Sequence, residues 1–370
     1  MKTTRRLWRA IGIGAMIALI GLVVAACDTG GGSTAVADGD SSGGVLIGTI
    51  SFGGSSGNLR FRYLGHSHEV AGYEGGASGA LIIPAIHNGR PVIAIRINAF
   101  VGSNLTSVVI PDSVTRIGDR AFESNSLTNV VIPGGVTSIG DRAFAGNSLT
   151  SVDIPDSVTH IGDWAFQSNN LTSTTIGNNV THIGDGAFLG MSFTNVDIPD
   201  SVTHIGDLAF AVGSLTSVTI GNSVTHIGNG AFSENNLTSV DFPDSVTHIG
   251  SSAFWGNSLT SATIGNSVTH IGDFAFAGSS PIIGNSLTSV TIGNSVVHIG
   301  LGAFSGNSLT SVTIGNSVVH IGLGAFSSNR NRLNSVNIPF ANLAAADAAW
   351  GGTDWRNGIP DNVFVPALRS

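Results

Sequence analysis

The chain has 370 residues, 42% of them hydrophobic and only 10% charged, with a formal net charge of −8. That hydrophobic content excludes a disordered chain, and the acidic balance argues against a basic nucleic-acid binder. The 51 glycines follow no three-residue period and accompany only 11 prolines, which excludes collagen.

Residues 1–26 carry Lys2, Arg5, Arg6 and Arg9 ahead of an apolar run from Ile11 to Ala26. A charged segment followed by an apolar one is the build of a secretory signal. The stretch Leu22-Val23-Val24-Ala25-Ala26-Cys27 resembles the lipobox of bacterial lipoproteins, and Cys27 is the only cysteine in the sequence. The resemblance implies cleavage before Cys27 and acylation of its thiol. The mature protein would then be exported and held by lipid to a bacterial membrane, at the outer membrane or cell surface. An uncleaved membrane helix is the alternative, since the apolar run is nearly long enough to span a bilayer. Removing residues 1–26 takes four cations and no acids, leaving 11 arginines, no lysine and 23 acids, a net charge of −12. With Cys27 acylated no disulfide is available, so stability has to come from the fold. Residues 27–44 are rich in Gly, Ser, Thr and Asp and read as a flexible tether.

Residues 45–78 contain Leu59-Arg-Phe61-Arg-Tyr63-Leu64 and His68-Glu-Val70-Ala-Gly-Tyr73. They read as an N-terminal cap, a β-hairpin that turns at Gly65. His66, His68 and Glu69 form the only non-repeated cluster of titratable groups and are expected on an exposed loop beside that turn.

Residues 79–340 repeat. Ala-Phe pairs end at Phe100, Phe122, Phe144, Phe166, Phe188, Phe210, Phe232, Phe254 and Phe276, spaced by 22, then at Phe304 after a six-residue insertion and at Phe326. About 12 units of this kind specify a solenoid, because one 22-residue unit cannot bury its apolar residues alone but stacked neighbours can. Within a unit, Leu309, Val312 and Ile314 mark a short half-buried strand. Gly315-Asn316, or Pro155-Asp156 in other copies, marks a turn. Val318 and Ile321 return to the core, Gly322 bends the chain, and Ala325-Phe326 fills the interior after a single helical or irregular turn. Asn recurs three residues after Phe, at Asn125, Asn147, Asn169, Asn235, Asn257, Asn307 and Asn329, where its amide can satisfy loop backbone groups. Met191, Gly213 and Ser279 interrupt that row, and those layers are expected to be looser. Residues 279–284 are expected to bulge outward. Residues 341–370 drop the repeat, bring Trp350, Trp355, Phe364 and Val365, and read as a C-terminal cap. A longer period of 44 is also present: Asp153-Ile-Pro155-Asp156 alternates with Thr175-Ile-Gly177-Asn178, which suggests growth by copying two-unit blocks.

The pattern L-x-x-L-x-L followed by P-x-x-V-x-x-I-G-x-x-A-F-x-x-[NC] is similar to the BspA-type, or Treponema pallidum-type, leucine-rich repeat. Leu149, Val152, Ile154, Pro155, Val158, Ile161, Gly162, Ala165 and Phe166 stand at its consensus positions. The resemblance implies a leucine-rich repeat superhelix with short parallel β-strands on the concave face and helical or irregular turns on the convex face. It also implies a surface protein that binds matrix proteins or other cells. Asn stands where the family often has Cys, so thiol-linked behaviour does not carry over.

Side chains flanking the inward strand residues point outward. They form a candidate binding face of Asp153, Thr175, Asp197, Ser217, Thr219, Asp241, Ser261, Thr263, Ser289, Thr291, Ser311 and Thr313. Two readings stay open: a solvated sheet kept soluble by strand-favouring Thr, or a broad, multivalent surface for proteins or glycans on other cells or matrix. Self-association without a specific ligand is the alternative function. His160, His182, His204, His226, His248, His270, His298 and His320 form a second row. A straight row offers imidazoles side by side without a second ligand type to close a site, so the expectation is a structural or solvated ladder with no metal. No cofactor is expected. The repeated Ser, His and Asp lie in rows, whereas an active site is a unique constellation, so no enzyme is expected either.

Overall fold

Most 22-residue units contribute two short strands, and the parallel stacking of equivalent strands from successive units builds a β-solenoid with little helix. A computed structural model describes residues 45–48, 58–74, 78–278, 284–329, 333–341, 343–350, 352, 355 and 364–366. Cys27, the segments expected to be a signal and a tether, and residues 279–283 of the insertion lie outside the described residues.

The first strand column carries the expected L-x-x-V-x-I pattern, as in Ser151–Asp153, with Val152 buried and Ser151 and Asp153 exposed, while Ser173–Thr175 puts Thr174 at the Val position. A second column lies where the sequence pattern marks no strand. The dipeptides His160–Ile161 through His320–Ile321 are strands too, and they pair residue for residue with their neighbours. They belong to a fifteen-stranded sheet. Ile161 points inward and His160 outward, so even a two-residue strand keeps the alternation of a sheet.

Between the columns the backbone still bonds from layer to layer. The Trp164 N–H donates to the Asp185 carbonyl at 2.6 Å and the Phe166 N–H to the Ala187 carbonyl at 2.9 Å. This G-D-x-A-F segment is an irregular turn, because its x residue is left-handed: φ is +57° at Trp164, +56° at Gly186 and +56° at Leu208. Such a residue cannot continue a right-handed helix.

The core is a column of phenylalanines, Phe100 to Phe326, with successive ring centroids 5.2–5.6 Å apart and nearly parallel. The Leu, Val and Ile of both strand columns pack around it. Each buried Phe contributes on the order of 1.5–3 kcal/mol relative to exposure, a gain available only when a layer above and below completes its contacts.

The asparagines close the remaining corner. Asn169 Nδ2 donates to the carbonyls of Phe144 and Phe166 at 2.9 and 2.8 Å, and its Oδ1 accepts from the Leu149 N–H at 3.0 Å. The interruption expected at Ser279 is repaired. Asn285, on the far side of the insertion, takes the vacant slot and donates to Phe254 and Phe276. The N-S-L that precedes the strand fixes the register there, rather than the distance from Phe. Where Met191 replaces Asn, Phe193 replaces Leu and packs edge-on against Phe188 and Phe210 at 6.2 and 6.4 Å.

At the N-terminal end, β1 (Val45–Gly48), β2 (Asn58–Tyr63) and β3 (His68–Glu74) run antiparallel, with the turn at Gly65. β3 then pairs in parallel with residues of Arg90–Ile95, which joins the hairpin to the long sheet. At the other end, Trp350 and Trp355 are buried, and Trp350 Nε1 donates to the Val318 carbonyl at 2.8 Å. Phe364–Pro366 adds a parallel strand to Ser335–Ile338.

Candidate binding surface

The candidate face is the outward side of the first strand column. Asp153, Thr175, Asp197, Ser217, Thr219, Asp241, Ser261, Thr263, Ser289, Thr291 and Thr313 are exposed and Ser311 is half-buried. Within paired layers these side chains align: Asp153 lies opposite Thr175, Asp197 opposite Thr219, and Thr291 opposite Thr313. The Thr175 hydroxyl donates to Asp153 Oδ1 at 2.7 Å. The column is divided into blocks, with Asp layers bonded to the Thr layers after them and sheet pairing interrupted before Asp197 and Asp241. The 44-residue period is therefore structural. A Cβ on Gly177 would sit 2.4 Å from the Pro155 carbonyl oxygen and one on Gly221 2.2 Å from that of Pro199, so these two layers need Gly. Two further exposed residues belong to the row: Val109 and Val131 continue it toward the N-terminal end, and Val131 is 71% exposed. Their signal is present in the sequence, since they occupy the Thr/Asp position of their own units.

The second column presents the histidines. Adjacent rings from His160 to His270 stack with centroids 4.5–5.1 Å apart and planes within 10°. The six-residue insertion widens the next step, His270 to His298, to 6.1 Å. The pKa values of His182, His204 and His248 lie below the ordinary value, chiefly because burial penalises the charged ring and secondarily because neighbouring imidazoles repel it. The aspartates three residues after His160, His182, His204 and His270 have a structural task. Asp163 Oδ1 accepts from the Asp185 N–H at 2.8 Å and Asp185 Oδ1 from the Asp207 N–H at 2.7 Å. They cap the next layer's backbone instead of facing the imidazoles as co-ligands. Among the described residues, no group of three or more His, Asp or Glu side chains is arranged to hold a metal ion.

The BspA type Leucine rich repeat region matches residues 93–214, 209–331 and 283–348, in six copies. The chain belongs to this family. Its fold is also that of the pneumococcal vaccine antigen PcpA, which is 17% identical with a TM-score of 0.51, over 91% of this chain and 95% of that one. A leucine-rich repeat protein from Bacteroides ovatus is 23% identical with a TM-score of 0.47, over 86% and 100% of the two chains. A leucine rich cell surface protein from Faecalibacterium prausnitzii is 25% identical with a TM-score of 0.40, over 82% and 95%. No curated protein gives a significant match.

Two further features of this BspA-type chain lie off the candidate face. The exposed loop expected for His68 is overturned. His68 is 1% exposed, lies on β3, and packs edge-on to His87 at 5.0 Å, while His87 stacks on Phe61 at 3.9 Å. Alternation along β3 places His68 with Val70 on the inward side, a signal masked by the nearby glycine turn. Both His68 nitrogens lack a hydrogen-bond partner, and burial, then the Arg90 charge, lowers its pKa. The G-D-x-A-F edge, by contrast, exposes apolar side chains: Leu208, Val212, Phe274, Leu301 and Leu323. At its N-terminal end Asn98, Arg120, Arg142 and Trp164 line a shallow depression of about 350 Å³. Among the described residues no helix is long and apolar enough to cross a membrane.

Proposed function

We propose that this chain is a surface-displayed, lipid-anchored interaction protein, adhesive in character, whose first strand column binds proteins or glycans on other cells or matrix. The observation that carries the reading is the exposed, layer-aligned row from Asp153 to Thr313. It repeats hydroxyl and carboxylate groups at strand spacing, about 4.8 Å per layer, and so suits a repetitive or extended partner through many weak contacts. Membership of a leucine-rich repeat family supports a binding role. No catalytic step is assigned, and no cofactor or nucleic acid is invoked.

The test is binding of the full chain, solubilised in detergent, to immobilised matrix proteins and glycan arrays. Saturable binding that weakens when Thr219, Thr263 and Thr291 become Lys supports the reading. Binding indifferent to those changes removes it. Labelled fatty acid incorporated by the natural chain, and lost with Cys27→Ser, tests the anchor separately. A second reading, self-association, is favoured by the exposed apolar edge of Leu208, Val212, Phe274, Leu301 and Leu323. It predicts concentration-dependent assembly in sedimentation that Leu301→Asp with Leu323→Asp abolishes.

A further inference from the structure

The hydrogen bonds around the histidine row favour one tautomer of each ring. Thr159, Thr181, Thr203, Thr225, Thr247 and Thr269 each precede a His, and each hydroxyl donates to a threonine carbonyl one layer below at 3.0–3.2 Å. A carbonyl oxygen can only accept, so the single hydroxyl proton is spent there. The same hydroxyl oxygens lie 2.8–2.9 Å from the Nδ1 atoms of His160, His182, His204, His226, His248 and His270. With the hydroxyl proton on that carbonyl, which the same threonine's backbone N–H also reaches, Nδ1 is favoured as the donor to the hydroxyl oxygen. Six neutral imidazoles are thus held as the Nδ1–H form, each leaving its Nε2 lone pair free.

That is how metal-binding imidazoles are prepared: one nitrogen donates to a fixed acceptor, which sets the tautomer, orients the ring and leaves the other nitrogen as ligand. The spacing also fits. The rings are nearly parallel and identically oriented, so neighbouring Nε2 atoms are separated by about the same distance as their centroids, 4.5 Å at His226–His248 and 4.8 Å at His248–His270. Metal–nitrogen bonds of 2.0–2.1 Å place two nitrogens on one tetrahedral ion about 3.4 Å apart. Closing that gap and turning the parallel Nε2 lone pairs onto one ion requires neighbouring rings to swing toward each other about χ1 and χ2, a motion open to side chains on the outward face of the second column. The surrounding field favours a cation, because no lysine or arginine lies between Arg142 and Arg330 while aspartates recur.

We propose that adjacent imidazoles of the His160–His270 run bind zinc-class divalent transition ions in pairs, with water completing the coordination. The absence of a third protein ligand among the described residues makes these open, exchangeable sites rather than closed structural ones. The row carries its own internal contrast. His298 and His320 follow Val297 and Val319, which cannot hold Nδ1, and the His270–His298 step is 6.1 Å with planes 26° apart. Pairing is therefore strongest before the insertion. This inference is independent of what the first strand column binds.

Equilibrium dialysis of the untagged full chain in detergent against ZnCl₂ at pH 7.5 tests it. About three ions per chain are expected in the stronger class. The variant His182→Gln, His226→Gln and His270→Gln leaves only isolated imidazoles before the insertion and should weaken that class at least tenfold. Thr181→Val with Thr225→Val keeps every imidazole and should still weaken it several-fold by freeing the tautomers. Zinc uptake unchanged in either folded variant, or one equally weak ion per imidazole in all proteins, overturns the proposal. Imidazole ¹⁵N shifts of the natural chain need no substitution. Unprotonated Nε2 that responds to ZnCl₂ is expected, and protonated Nε2 along the row overturns it.

Discussion

Asn147 reaches the carbonyl of Phe122, one layer below, at 2.9 Å while donating to Phe144 in its own layer at 3.0 Å. The Phe122 and Phe144 carbonyls each accept from a second asparagine, Asn125 and Asn169, so removal of one amide does not orphan them. The Leu127 N–H is different: it donates to Asn147 Oδ1 at 3.1 Å within the buried corner. Asn147→Ala removes that acceptor and opens a small void, and should cost about 2–3 kcal/mol. Asn329→Ala, at a half-buried and longer contact with Phe304, should cost less. Urea unfolding followed by circular dichroism ranks the two, and equal stabilities for both variants and the parent would refute the ladder as a stabilising device.

The large side chain of one layer lies over the glycine of the next. A Cβ on Gly186 would meet the Trp164 ring at 2.3 Å, and one on Gly302 would meet Phe274 at 2.6 Å. Gly186→Ala alone should destabilise by about 2 kcal/mol, part of it from placing a Cβ at φ +56°. Combined with Trp164→Gly the clash disappears while the backbone cost stays. A double-mutant cycle should therefore return a favourable coupling of about 1 kcal/mol or more. Strict additivity would mean that Trp164 does not lie over Gly186.

These cases show where the sequence was informative. Phe and Asn were legible because one residue type at one phase, repeated in unit after unit, has a single packing solution. The His-Ile strands were not, since a two-residue strand has no alternation of its own and exists only through pairing with the layer beside it. The same holds for Asp163, whose carboxylate serves a backbone N–H 22 residues away. His68 is the opposite case: a local glycine signal outweighs the strand alternation that buries it. The outward position of the Ser/Thr/Asp row follows from strand alternation, whereas its division into separately paired sheets, two of two strands and one of six, rests on contacts between layers that no single unit encodes.

Trp350 seals the last layer. Its ring packs edge-on with Phe340 at 5.0 Å and Trp355 at 4.8 Å, and its indole N–H satisfies the Val318 carbonyl. Trp350→Ala should cost about 3–5 kcal/mol and expose the terminal core face, which solenoids must cover to stay soluble. Calorimetry should show a lower melting temperature, and sedimentation should show assembly that increases with concentration. A variant as stable and as monodisperse as the parent would show that the cap is dispensable.

The histidine row makes stability depend on pH, and the direction comes from linkage. Burial and neighbouring imidazoles hold the folded pKa values of His182, His204 and His248 below the ordinary 6.5. His298 is lowered as well, although Asp273 opposes the shift. Below pH 6.5 the unfolded chain then binds more protons than the folded one, so stability rises with pH across this range. The contribution is fully present above pH 6.5 and is lost as pH falls through the lower folded values. The melting temperature should therefore drop between pH 7.5 and pH 5. Replacing His182, His204 and His248 by Gln should reduce that drop without abolishing it, because buried His68 and His87 titrate in the same sense. A melting temperature that holds level or rises on acidification would show that the imidazoles neither crowd one another nor lose solvation in the fold.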